Sequence, residues 1–169
     1  NMTTRLNGEN TFFLPYNKTL NNLETKSDGY KVDYLWKEIL TPTSLLDIIE
    51  NFVLFTQETE SVWSDEKNKV IEEKKPVLIF PRYHQLDVIR KLKNQVSEDG
   101  VGKNYLVQHT TGSGKSYSIG WLSHTLTSLY QKDGDTKRMF DTILVVTDRK
   151  VLDKQLQHTI ESIQRVGIV

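Results

Sequence analysis

The residues whose types and spacing suggest chemistry lie at positions 109–116, where the chain reads HTTGSGKS. A short apolar run at 104–108 precedes them and predicts a strand, and apolar residues at helical spacing follow over 117–130. A strand, a glycine-containing loop, the tripeptide Gly114-Lys115-Ser116 and a helix form the pattern of a phosphate-binding loop. One position departs from it, because His109 stands where the pattern has glycine.

Each residue type in this loop has a chemical reason. Gly112 and Gly114 allow the backbone to curl, so that its N–H groups point at phosphate oxygens. A helix that starts at Lys115 adds unpaired N–H groups and the positive end of a dipole. Lys115 is predicted to reach the β- and γ-phosphates of a nucleotide and to be the catalytic residue, and Ser116 is predicted to ligate Mg²⁺ through its hydroxyl.

Composition narrows the class of protein. Lys plus Arg and Asp plus Glu are both 22 in 169 residues, which argues against a histone-like nucleic-acid coat but leaves a local DNA-contacting face open. The absence of cysteine excludes disulfides and thiolate metal sites and is compatible with the cytoplasm. No apolar run is long enough for a membrane helix. The last residues, 167–169, have the composition of a new strand, so we expect a segment of a longer protein.

The first part of the chain has few strong signals. Thr41 followed by Pro42 predicts a helix start, with apolar residues at helical spacing up to Phe55. The charged stretch 58–75 is interpreted as a linker or surface excursion. It contains a set of residues similar to the carboxylates and lysine of metal-dependent nucleases, but no buried strands flank the set and we expect no nuclease site; its members are Asp65, Glu72, Glu73 and Lys74.

The amino-acid composition changes at residue 76, where a proline-bounded apolar run begins. After it come apolar residues at helical spacing over 82–92 and then the glycine-containing loop with its helix. A continuous apolar run at 142–147 and helical spacing over 148–163 complete the pattern. Helices and strands that alternate in this way predict an α/β fold with a parallel sheet flanked by helices. We therefore predict a mostly helical or irregular connecting region at 1–75 and part of an α/β domain at 76–169.

Three segments resemble the first motor domain of superfamily 2 helicases and translocases, which has a RecA-like fold. Residues 80–92 are similar to the segment that reads adenine, with Gln85 at the position of its glutamine, whose amide can donate to and accept from the base. Residues 109–116 are similar to motif I and residues 143–156 to motif Ia. The sequences at 81–85, 108–116 and 145–153 are similar to the motor subunit of type I restriction-modification enzymes. The stretches 10–17 and 34–40 are more weakly similar to the same family.

The resemblance implies an ATP-driven translocase that moves duplex DNA and cuts it, together with methylase and specificity subunits. Motif Ia lies beside the DNA backbone in that superfamily, so Thr147, Arg149 and Lys150 are candidates for contacts with DNA phosphates; an exposed helix start with no ligand is the alternative. No Asp-Glu pair follows a strand after motif Ia, so we expect these 169 residues at most to bind nucleotide. The predicted nucleotide-binding residues are Arg82, Gln85, Thr110, Thr111, Gly112, Ser113, Gly114, Lys115 and Ser116.

The sequence leaves several alternatives open. Arg82 either approaches the nucleotide or makes a surface ion pair, and Tyr83 either stacks on adenine or packs in the core. The chain as a whole could instead belong to another superfamily 2 translocase, to a small phosphotransferase with the same loop, or to an interaction module whose loop binds an anion. The four histidines lack the spacing of metal ligands.

Overall fold

The structure, a computed structural model, describes residues 8–18, 29–65, 67–131, 136–148 and 150–164. Their regular structure consists of four α-helices, one antiparallel pair of strands, a short 3₁₀ turn at Gly8–Asn10 and a π-helical turn at Leu35–Ile39. The fold is therefore a mixture of helices and strands, as predicted.

Helix α1 spans Pro42–Asn51 and begins where the sequence predicts. The Thr41 side chain accepts a hydrogen bond from the Ser44 N–H at 3.4 Å, and Pro42 occupies the first turn, where its missing N–H costs nothing. The predicted extension of this helix to Phe55 is wrong. Leu54 instead begins a strand and pairs with Ile79, a partner 25 positions away that local helical spacing cannot reveal.

The charged stretch interpreted as a linker forms most of a long hairpin. Strand β1 spans Leu54–Ser64 and strand β2 spans Lys69–Ile79, in antiparallel register from Leu54 opposite Ile79 to Ser64 opposite Lys69. Two apolar cross-strand pairs, Val62 with Ile71 and Trp63 with Val70, stabilise the half nearest the turn. The Lys75 amine also lies 3.0 Å from a carboxylate oxygen of Glu60, so at least two of the charged side chains form an ion pair across the strands.

Three helices follow the hairpin, and all three are predicted by the sequence. Helix α2 spans Tyr83–Asp99, helix α3 spans Lys115–Thr127 and helix α4 spans Lys150–Gln164. Helices α3 and α4 approach closely at Gly120, where a Cβ atom would lie 2.5 Å from Cδ1 of Ile163. Glycine at that position therefore permits the contact between the two helices.

The parallel sheet is not confirmed. Within the described part of the chain, the predicted strands 104–108 and 142–147 take part in no strand pairing, and the one sheet is the hairpin. Three of their apolar side chains are largely exposed: Leu106 at 94%, Leu144 at 84% and Val146 at 82%. A strand needs a neighbour for its hydrogen-bond ladder, and a continuous apolar run specifies burial without specifying that neighbour.

One hydrophobic core joins residues from both sides of position 75. The front part contributes Tyr16, Tyr34, Ile48 and Phe52, among others. The part after position 75 contributes residues from β2, α2, α3 and α4: Val77, Ile79, Tyr83, Leu86, Ile89, Trp121 and Ile163. Helix α2, which leads to the phosphate-loop region, is therefore packed directly against the preceding residues.

A tyrosine cluster anchors the start of α2. The Tyr83 ring lies edge-on to Tyr16 and Tyr34, with centroids 5.7 and 5.5 Å away, and the Tyr34 hydroxyl donates a hydrogen bond to the Tyr16 carbonyl. Burial raises the pKa of Tyr16 far above its ordinary value. Of the two sequence interpretations of Tyr83, the structure thus places it in the core, with 8% of its surface exposed.

Arg90 connects α2 to α1. Its Nε and Nη2 atoms donate to Oδ2 of Asp47 at 3.1 and 2.6 Å, and Nη2 also donates to the Ser44 carbonyl at 3.2 Å. Both side chains of the ion pair are 29% exposed, so water screens it only in part. The fork of donors on one carboxylate and one carbonyl fixes how the two helices lie together.

Replacement of Arg90 is expected to loosen this connection. Arg90→Met keeps most of the aliphatic stem and removes all three hydrogen bonds, so the free energy of unfolding should fall by about 1–3 kcal/mol. Urea denaturation followed by circular dichroism measures the change. Lys91→Met is the matched control, because in the described part of the chain the exposed Lys91 amine pairs with Asp87 one turn away on the same helix, and a loss within about 0.5 kcal/mol is expected there. Equal losses in the two variants would contradict the prediction.

Candidate phosphate-binding site

The loop before α3 is curled at its two glycines. Gly112 has φ +76° and Gly114 has φ +80°, both in the left-handed region that residues with a Cβ atom rarely adopt. Gly114 also forms the cap of α3, and a Cβ atom there would lie 2.5 Å from Nε2 of Gln85. Both conformation and space therefore require glycine at 114, whereas at 112 the requirement is conformational, since nothing lies within 4 Å.

The first N–H groups of α3 are available to a ligand. In the described chain, no backbone hydrogen bond engages the N–H groups of Gly114, Lys115 or Ser116, while the Gly114 carbonyl already accepts from Tyr117 and Ser118. The N-terminal end of a helix carries a partial positive charge in addition to these donors. The arrangement can bind an anionic oxygen, as a phosphate-binding loop does.

The Lys115 side chain folds back over the loop. Its amine donates to the carbonyl of Thr110 at 2.8 Å and lies 3.4 Å from the carbonyl of His109. The residue is exposed, so these contacts are in competition with water. The ammonium group is thus already held beside the curled backbone, and a short movement would direct it to an anion there.

The Gln85 amide joins the start of α2 to the loop. Its oxygen accepts from the Arg82 N–H at 2.8 Å, and its nitrogen donates to the carbonyls of Ser113 at 3.3 Å and Gly114 at 2.9 Å. The side chain is 3% exposed. The structure therefore brings this predicted residue to the loop, and a contact with a base would require at least part of this hydrogen bonding to change.

Sequence reasoning missed two histidines at the loop. The Nε2 atom of His84 lies 3.0 Å from the Ser113 carbonyl, and the His84 ring stands edge-on to the ring of His109 with centroids 5.0 Å apart. Two signals in the sequence were available. His84 directly precedes Gln85, and His109 occupies the position at which the loop pattern has glycine.

Acidification is expected to destabilise the protein through His109. Burial, followed by the nearby charges of His84 and Lys115, lowers the pKa of His109 below its ordinary value. Unfolded chains therefore bind a proton at His109 as the pH falls through about 6.5, where the folded protein still resists it. The free energy of unfolding should decrease over that range and level off below the pKa of the folded state.

Urea denaturation between about pH 8 and about pH 5 measures this effect. His109→Asn, which cannot titrate, should lose part of the pH dependence found in the unsubstituted protein. His158, an exposed histidine of α4 for which no contact with this loop is found in the described chain, provides the matched control. If His109→Asn and His158→Asn keep the same pH dependence as the unsubstituted protein, the role of His109 is refuted.

For the remaining predicted site residues, the structure gives mainly their position and exposure. Thr110, Thr111, Gly112 and Ser113 form the curled part of the loop, and Ser116, in the first turn of α3, is half-buried. Arg82 precedes α2 and contacts the site through its backbone N–H. Among the candidates for DNA contact, Thr147 is half-buried, Arg149 lies outside the described residues, and only the backbone of Lys150, which begins α4, is described.

The residues present suit the phosphate group that the sequence predicts. The Ser113 hydroxyl is buried and has no hydrogen-bond partner in the described part of the chain, which is unusual for a polar atom and suits a site that gains a polar ligand. The free N–H groups, the Lys115 amine and this hydroxyl all lie within one curled loop. The fold and the site thus define a protein in which a curled, glycine-containing loop with unengaged N–H groups precedes a helix.

Comparison with known proteins agrees with this class. Residues 84–167 match the SWI2/SNF2 ATPase family, over a stretch that contains most of α2, the loop, α3 and α4. The match supports a superfamily 2 helicase-like ATPase, and therefore an enzyme that uses and hydrolyses ATP. Neither the curated proteins nor the solved structures gave a match. No helix among the described residues is long and apolar enough to cross a membrane.

Proposed function

We propose that the chain is a segment of the ATP-dependent, DNA-translocating endonuclease subunit of a type I restriction enzyme. The SWI2/SNF2 ATPase match supports the helicase-like part of this proposal. The restriction subunit is proposed from the amino-acid sequences of three segments, 81–85, 108–116 and 145–153. Their similarity to that family extends beyond the residues that a phosphate-binding loop requires. In this assignment, 76–169 is the first part of a RecA-like motor domain and 1–75 connects it to a nuclease domain.

The observation that carries the nucleotide part is the geometry of the loop. It is curled at Gly112 and Gly114, offers the unengaged N–H groups of α3, and is held from behind by Gln85. Lys115 binds the β- and γ-phosphates, Ser116 holds Mg²⁺, and Arg82 and Gln85 lie on the side of the base. ATP hydrolysis supplies the free energy for movement along DNA when the whole motor is present.

The sheet that such a motor requires is part of the same proposal. Residues 104–108 and 142–147 would become neighbouring parallel strands, with the loop at the carboxyl end of the first, where ligands bind in open α/β sheets. The support for this assignment is the apolar composition of the two runs, since paired strands covered by helices would bury Leu106, Leu144 and Val146, which are exposed in this structure. Amide hydrogen exchange in the full-length parent tests it, and rapid exchange throughout both segments would contradict it.

Duplex DNA and the other subunits are the proposed partners. Thr147, Arg149 and Lys150 would contact DNA phosphates, which position a protein without reading sequence. Methylase and specificity subunits would supply the recognition of a site, and the cytoplasm is the proposed location. In the full-length parent, duplex DNA should stimulate ATP hydrolysis; a parent whose ATPase does not respond to DNA would instead favour a phosphotransferase.

Titration with MgATP tests the function of the chain itself. Isothermal titration calorimetry should detect MgATP binding by the 169 residues. Absence of binding would favour the alternative that the chain is an interaction module whose loop binds some other anion. No turnover is expected in the same preparation, because no Asp-Glu pair follows residue 148 to position Mg²⁺ and water. Release of inorganic phosphate at a rate that scales with the amount of purified chain, and that Lys115→Ala removes, would refute this expectation.

A further inference from the structure

Two neighbouring side chains of α2 converge on one carbonyl of the phosphate-binding loop. His84 reaches the Ser113 carbonyl oxygen through Nε2 at 3.0 Å, and Gln85 reaches the same oxygen through its amide nitrogen at 3.3 Å. A carbonyl oxygen only accepts hydrogen bonds, so both nitrogens are donors. The His84 ring must therefore carry a proton on Nε2, which fixes its tautomer when the ring is neutral.

The direction of a carbonyl fixes the direction of the next N–H. In a planar trans peptide the C=O and the N–H of the following residue point in opposite directions, and no cis peptide occurs in the described chain. A Ser113 carbonyl held towards the start of α2 directs the Gly114 N–H away from α2. Since that N–H makes no backbone hydrogen bond within the described chain, it is left for a ligand.

The His109 ring holds His84 from the side. The two rings meet edge-to-face with an interplanar angle of 89°, and His84 is half-buried between the loop and its own helix. A histidine at the position of the pattern's first glycine thus has a partner across the loop. The contact limits rotation of the His84 ring and keeps Nε2 directed at the Ser113 carbonyl.

We propose that His84 is a positioning residue of the phosphate-binding loop, which holds the Ser113 carbonyl with Nε2, is braced by His109, and so directs the Gly114 N–H at a bound phosphate. The inference rests on the proposed nucleotide binding and deepens it. Gln85, the residue that the sequence predicts for the base, shares the same carbonyl. His84 has no predicted role in the loop pattern, and its assignment comes from these contacts alone.

Two amide substitutions separate the hydrogen bond from the remaining properties of the ring. His84→Gln can place a donor near the position of Nε2, whereas His84→Asn has the same functional group on a side chain too short to reach. MgATP affinity measured by calorimetry should fall about 5- to 30-fold in His84→Asn, as expected for one lost hydrogen bond. His84→Gln should stay within about 3-fold of the unsubstituted protein, and inorganic pyrophosphate, measured by competition, should follow the same order.

The outcomes distinguish this inference from the function on which it rests. If the unsubstituted protein binds MgATP and His84→Asn binds it equally well, the positioning role is refuted and nucleotide binding stands. If the unsubstituted protein does not bind MgATP, both are refuted. A loss of equal size in His84→Gln and His84→Asn would also overturn the inference, since only the reach of the donor differs between them.

A measurement on the unsubstituted protein covers the case in which a variant fails to fold. Long-range proton–nitrogen correlation spectra report which ring nitrogen of a neutral histidine carries the proton. The inference expects the neutral His84 ring to carry it on Nε2. A proton on Nδ1 instead would leave Nε2 with no proton to donate to the Ser113 carbonyl and would refute the inference, whatever the variants show.

Discussion

Lys115→Ala should abolish measurable nucleotide binding and leave the fold intact. The amine is the group in the loop that brings a full positive charge, and the loss of a charge-assisted contact with phosphate costs about 3 kcal/mol, or about 100-fold in affinity. Its present contacts are with the carbonyls of Thr110 and His109 on an exposed side chain, so the free energy of unfolding should change by no more than about 0.5 kcal/mol. Calorimetric titration with MgATP and urea denaturation measure the two effects.

Lys93→Ala is the matched control for this experiment. Lys93 is also exposed, but it lines a cavity of about 520 Å³ together with Thr125 and Ser128, at the opposite end of α3 from the loop. Removal of this charge should leave MgATP affinity unchanged. Unaltered binding in Lys115→Ala would remove the basis for the nucleotide site, and a large loss in Lys93→Ala would show that overall charge, and not the loop, determines affinity.

Trp121→Ala should be strongly destabilising. Trp121 lies in α3, is 1% exposed, and has ring centroids 6.0 Å from Phe52 and 5.6 Å from Tyr117. Replacement by alanine leaves a large cavity between α3 and the front part of the chain, and the expected loss is about 3–5 kcal/mol. Urea denaturation followed by far-ultraviolet circular dichroism measures it, because a tryptophan variant changes the fluorescence signal itself.

Two further variants define what the Trp121 result means. Trp63→Ala removes a tryptophan that is 56% exposed on the hairpin, where a change of no more than about 1 kcal/mol is expected. Trp121→Phe should cost less than alanine, because the buried indole N–H has no partner in the described chain and most of the volume is kept. A Trp121→Ala protein as stable as Trp63→Ala would contradict the core derived from the structure.

The shared core changes the interpretation of the residues before position 76. Ile48 and Phe52 pack in the same cluster as Leu86 and Ile89, and Tyr16 packs on the residue that precedes His84. A region predicted as a connection is therefore part of the support for the loop. In the proposed restriction subunit, this packing would place the connection to the nuclease next to the nucleotide site.

The sequence by itself predicted the features that depend on neighbours in the chain. The loop needs glycine at 112 and 114 because of local backbone conformation, and both have positive φ. The start of α1 depends on a hydrogen bond to the Thr41 side chain and on the fixed φ angle of Pro42. Both are local, and the sequence located this start correctly. Helices α2, α3 and α4 follow from a periodic spacing that any one segment carries in itself.

Only the tertiary structure decided which distant segments meet. The backbones of 54–64 and 69–79 pair as an antiparallel hairpin, and a charged composition gives no sign of that register. The contact between His84 and the Ser113 carbonyl joins residues 29 positions apart, so no spacing rule could anticipate it. Conversely, the apolar runs at 104–108 and 142–147 specify burial but not partners, which is why the sequence predicted a sheet that the described chain does not form.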